Sequence, residues 1–149
     1  VSVGGTQNYD VAGRMSGITE VQAGSYPLMD YNYCKLRAEF AQAAKVLAQV
    51  ISHPVDQRAV LDAGHKATGP DRGVPVLEGF PGARASRFSA EHAILDLEGQ
   101  SQQHLNPGDK AWLLPVDLGL CLNQYDYIRA VRNGKLVGFW PLAGRGRFG

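Results

Sequence analysis

The chain has 149 residues, enough for one core-forming domain or for one domain with a piece of another. Hydrophobic residues make up 44% and charged residues 19%, with a formal net charge of +1, which excludes a disordered segment and supplies no basic face for nucleic acid. No run of about 18 apolar residues is present to cross a bilayer, and Cys34 and Cys121 lack the spacing of a metal finger or a disulfide framework, so a reducing, cytoplasmic setting is expected.

The N-terminal stretch reads VSVGGTQNYD. A short apolar strand runs into two glycines and a threonine, the arrangement with which a barrel enzyme holds a phosphate at a strand end. Gly4 and Gly5 lack a Cβ, so their backbone N–H groups are open to an anion. Residues 1 to about 40 are rich in glycine and tyrosine, and Thr19–Gln22 reads as a strand. The run AAKVLAQVISHP predicts a helix over Ala38–Val50, turning extended toward Ile51 and stopped by Pro54.

Beyond it the chain reads as short strands at short intervals, in QRAVLDAG, ARASRFS, HAILDL and KAWLLPVD. In YDYIRAVRNGKLVGFW, Asn133-Gly134 supplies the two positive-φ residues of a type I′ turn, which predicts a hairpin. The fold class is therefore mainly β with some α, built on an antiparallel β domain.

Residues able to carry chemistry are few. His53, His65, His92 and His104 are scattered, and none pairs with another at helical or strand spacing. Glu91 beside His92 either raises its proton affinity or marks a solvated strand end. Lys66, after the glycine turn of VLDAGHKA, has no apolar surroundings in sequence and reads as a surface lysine. Asp117, Asn123 and Asp126 interrupt the apolar stretch LLPVDLGLCLNQYD. Asp117 suits a ligand-bearing strand end or a turn in which its carboxylate accepts backbone N–H bonds, with equal weight.

Taken in order, VSVGGT, GITEVQAGSYPLMD, RAVLDAGHKA, SAEHAILDL, KAWLLPVD with NQYD, and VRNGKLVGFWPLAGRGR resemble the C-terminal part of the D-threonine aldolase and D-serine dehydratase family. That resemblance implies an alanine-racemase-like fold whose N-terminal (β/α)8 barrel carries the Schiff-base lysine and is followed by a β-rich domain. It implies that residues 1–40 are the end of a barrel binding pyridoxal 5′-phosphate and that 41–149 form the C-terminal β domain. Gly4, Gly5 and Thr6 would bind the cofactor phosphate, and the lysine would lie outside this chain, in an N-terminal barrel chain or segment of roughly two hundred residues or more.

The implied activity is that of a lyase, cleaving or dehydrating a D-amino acid, in an oligomer with no nucleic-acid or membrane partner. The family's metal pair resembles Pro-x-His-x-Cys or Pro-x-His-x-Asp. Aligned on Pro115, Asn123 and Asp126, this chain has Asp117 at the histidine position and Gly119 at the second ligand. The resemblance therefore implies a weakly held Mg²⁺ or Mn²⁺ near Asp117, with Cys121 nearby in sequence. The alternative is a non-catalytic β-domain subunit that has lost the metal ligands.

Overall fold

The structure, a computed structural model, describes residues 1–147, the side chain of Gln103 apart. Strand β1 (Ser2–Val3) passes through helix α1 (Tyr9–Ala12) to strand β2 (Glu20–Val21), and the two strands pair in parallel, Ser2 opposite Glu20 and Val3 opposite Val21. A helical crossover between parallel strands is the building unit of α/β proteins. Helix α2 (Tyr31–Leu36) follows, and extended chain then leads to the second part of the molecule.

The predicted helix over Ala38–Val50 does not form. Residues Val46–Val55 make the long strand β3, whose burial alternates so that Val46, Ala48 and Val50 point inward while Leu47, Gln49 and Ile51 face out. Period-two burial is what a strand with one covered face requires, and the partner strand across the sheet overrides the helix propensity of alanine and leucine. Pro54 lies inside β3 rather than ending it. The pairing shifts register between Ser52 and Val55, an irregularity where a missing N–H is tolerated.

The chain continues through β4 (Arg58–Leu61), α3 (His65–Thr68), β5 (Val76–Leu77), β6 (Ala83–Phe88), β7 (Ala93–Leu97), α4 (Ser101–His104), β8 (Lys110–Leu114) and α5 (Leu118–Leu122). Six strands close into an antiparallel barrel in the order β3-β4-β7-β6-β5-β8, with β8 returning to β3 through Val46 opposite Leu113 and Leu47 opposite Trp112. A closed sheet leaves no edge. Its narrow interior is filled by alternating small and larger side chains: Ala59, Ala85, Ala93 and Ala111 beside Leu61, Leu95, Leu97 and Leu113, all at most 2% exposed.

Beyond α5, β9 (Tyr127–Arg132) and β10 (Lys135–Pro141) form the predicted hairpin, with Asn133 and Gly134 at φ of 50° and 73°. It is a separate two-stranded sheet. No helix among the described residues is long and apolar enough to cross a membrane.

Candidate functional site

The glycine loop is preorganised by a reciprocal pair of bonds. Asn8 N–H donates to the Gly5 carbonyl at 3.2 Å, and Gly5 N–H donates to Asn8 Oδ1 at 2.9 Å. The Gly5 N–H is thus occupied by the oxygen of an exposed side chain. Gly4 sits at φ +78°, and a Cβ there would lie 3.0 Å from that of Ala12, so the turn requires glycine. A Cβ on Gly5 would meet only the movable end of Gln7, at 2.8 Å.

Thr6 is 2% exposed, and its Oγ1 accepts the N–H groups of Ser25 and Tyr26 at 3.0 and 3.1 Å. Its hydroxyl oxygen is thereby committed inside the fold, joining the glycine loop to residues 25–30. Arg37 braces the same loop from the other side, donating to the Gln7 carbonyl at 2.8 Å and pairing with Asp10.

Residues 25–30 connect onward to the segment around Asp117. Met29 is fully buried at φ +56°, a strained conformation for a side-chain-bearing residue, held by its N–H bond to the Ser25 carbonyl at 2.7 Å. Next to it, Asp30 Oδ1 accepts the N–H of Leu118. Tyr31 N–H and the Gln42 side chain both donate to the Pro115 carbonyl, at 3.0 and 3.3 Å. The glycine loop and the 115–118 segment are therefore tied through one run of hydrogen bonds.

Asp117 caps α5: its Oδ1 accepts Leu120 N–H at 2.9 Å, while Oδ2 faces the Arg72 guanidinium at 3.6 Å. This is the second of the two arrangements open to it in sequence. Asp117→Ala should destabilise the protein by about 1 kcal/mol, the usual worth of an N-cap, as read from denaturant midpoints. Asn123 and Asp126 serve the C-terminal chain. Asn123 Oδ1 accepts Gly146 N–H at 2.7 Å, and Asp126 pairs with Arg145 at 2.9 Å.

Among the described residues no group of three or more His, Cys, Asp or Glu is placed to hold a metal ion. Cys121 is 1% exposed, its thiol lies 3.5 Å from the Ala67 carbonyl, and burial followed by the Asp117 charge pushes its pKa up to about 12. It behaves as a small core side chain and a poor thiolate ligand. Lys66 and Glu91 pair with each other at 2.5 Å on the surface.

Asp30 has no counterpart in the sequence reading. Its partner is 88 positions away, and no local pattern announces such a bond. Burial, and then the neighbouring Asp117 charge, raise its pKa above the ordinary value of 3.8, against the lowering effect of the Leu118 N–H. For a carboxyl with a raised folded-state pKa, the folded state holds the proton more tightly than the unfolded chain. Stability therefore falls as pH rises from 3.8 through the raised value. Asp30→Asn keeps an acceptor for Leu118 and removes the charge, so unfolding curves across acidic pH should lose that part of their slope.

Against this geometry stand the relatives. The model of the putative serine dehydratase domain matches residues 43–131. The chain belongs to that family. It is 33% identical to the 3-hydroxy-D-aspartate aldolase of Paracoccus denitrificans over 99% of its own length and 40% of the aldolase. The crystal structure of D-threonine aldolase from Filomicrobium marinum superposes with a TM-score of 0.88 and 34% identity, over 98% of this chain and 41% of that one. An alanine-racemase-like protein from Idiomarina loihiensis shares the fold at a TM-score of 0.80 and 20% identity, over 95% of this chain and 43% of the other. This family member thus spans about two fifths of the length of the proteins it matches, as their C-terminal part. The mainly β fold class expected from sequence is the one observed.

Proposed function

We propose that this chain is the C-terminal segment of a pyridoxal-phosphate-dependent lyase acting on β-hydroxy D-amino acids, by aldol cleavage or dehydration. Its likeness to an aldolase along nearly its whole length carries the reading. Residues 1–40 would be the end of the cofactor barrel and 41–149 the C-terminal β domain, the whole being cytoplasmic and oligomeric. The barrel preceding Val1 would supply the lysine that bonds to the cofactor.

The glycine loop fits a phosphate. Gly5 presents an N–H already bound to an exchangeable side-chain oxygen, and Gly4 gives the turn its shape. Thr6 contributes chiefly as the anchor of the loop, since its hydroxyl oxygen already accepts two backbone N–H groups. Bound pyridoxal phosphate supplies the electron sink for breaking bonds at the substrate Cα or Cβ. The work of this chain is to hold the phosphate end still and to fix the 115–118 segment through Asp30, Tyr31 and Gln42. Visible absorption by bound cofactor in the full-length protein, together with turnover of a β-hydroxy D-amino acid, tests the reading. A colourless full-length protein without turnover overturns it.

The capped Asp117 and side-chain-free Gly119 favour a second reading, a β-domain subunit without metal chemistry. A Cβ on Gly119 would lie 3.3 Å from Asp117 Oδ1, so side chains at these two positions can meet on one ion. The unmodified protein should hold at most a weak, oxygen-preferring Mg²⁺ or Mn²⁺ that chelation strips readily. Asp117→His with Gly119→Cys should raise zinc affinity at least tenfold by competition with a chromophoric chelator. Tight stoichiometric zinc in the unmodified protein would contradict this assignment.

A further inference from the structure

Among the described residues, the β9–β10 hairpin leaves one face largely exposed. Cross-strand register puts Tyr127, Val131, Leu136 and Phe139 on one side, where they are 40%, 61%, 53% and 55% exposed. Tyr127 and Phe139 pack edge to face at 5.2 Å, and the Arg129 guanidinium, on the same face, lies 5.5 Å from the centre of the Tyr127 ring. A two-stranded sheet is marginally stable in water and gains stability from a third strand or a covering layer. The six-stranded barrel is closed and offers no edge to pair with, and the hairpin joins no other sheet among the described residues. An apolar sheet face with free edges marks an interface.

We propose that this face is the seat of the polypeptide preceding Val1, docked from within the same chain. The inference rests on the reading of the chain as a C-terminal segment. The relatives are about two and a half times as long as the portion matched here, so the largest body of covering chain lies on the N-terminal side. Arg129 gives the occupant its chemistry: it stands opposite Phe139 on this same face, and residues 127–141 include no acidic side chain, so the docked segment is apolar and carries an acidic group for Arg129.

The test uses the full-length polypeptide carrying Leu136→Cys or, as a control on the opposite side of the hairpin, Lys135→Cys. With cofactor binding and thermal midpoint unchanged, maleimide should label position 136 at least tenfold more slowly than 135. A photo-crosslinker at position 139 should capture residues preceding Val1 in the same chain, as judged by mixing isotopically light and heavy protein. Crosslinks to the 1–147 region of another copy, or equally fast labelling at both positions, overturn the proposal while leaving a cofactor-loaded protein, and with it the functional reading, intact. A natural polypeptide that starts at Val1 overturns both.

Discussion

Gly64→Ala is expected to destabilise the protein by more than about 3 kcal/mol and to lower its thermal midpoint by roughly 6–12 °C. Gly64 lies against the connection between β6 and β7. A Cβ there would stand 2.4 Å from His92 N and Ser89 O and 2.7 Å from Ala90 O. All three are backbone atoms, so no side chain can swing away. The same connection receives the N–H groups of His65 and Lys66, at 2.9 and 3.1 Å on the Ser89 and Ala90 carbonyls. Moving it enough to admit a methyl breaks both bonds and unseats α3, whose buried Thr68 hydroxyl donates to the Gly64 carbonyl at 2.9 Å. Gly24→Ala is the matched control, because a Cβ there has no atom within 4 Å and the change should stay within about 0.5 kcal/mol. Equal melting of the two variants would show that the connection yields.

Gly5→Val is expected to leave the fold intact and weaken cofactor retention at least tenfold. The two effects separate because a Cβ at Gly5 meets only the Gln7 side-chain oxygen, at 2.8 Å, a group free to rotate. What the valine blocks is approach of a phosphate to the Gly5 N–H. Losing one hydrogen bond to a charged group costs about 1.5 kcal/mol or more, a little over a factor of ten in affinity. Equilibrium titration of the full-length apoprotein with pyridoxal phosphate reads the change directly. Unchanged affinity would remove the glycine loop from the cofactor site.

The features that sequence made legible are those decided locally. Asn133-Gly134 announced its hairpin because type I′ geometry needs two positive-φ residues in succession. The strands β4, β6, β7 and β8 were visible because they are short and bounded by turn residues. By contrast the opening of β3 carries the alanine and leucine of a helix, and its strand character comes from pairing with β8 more than sixty positions later. Asp117 was balanced between two roles because both need a carboxylate after a strand. Only the position of Leu120 N–H, which depends on α5 forming, separates them. Asp30 carries no local signal for the same reason, in stronger form, since its hydrogen-bond partner lies on another element.

Closure of the barrel between its first strand and its last, Val46 on Leu113, has a consequence for how the protein is made. Neither strand can be completed by its sequence neighbours alone, so the ring is finished only after the whole stretch from Val46 to Leu114 has left the ribosome. The entropy of bringing such distant ends together falls due before the contacts that repay it, which places this unit among slow-folding topologies. The matched family region, 43–131, encloses that stretch completely, so the unit shared across the family is the one whose ends must meet late.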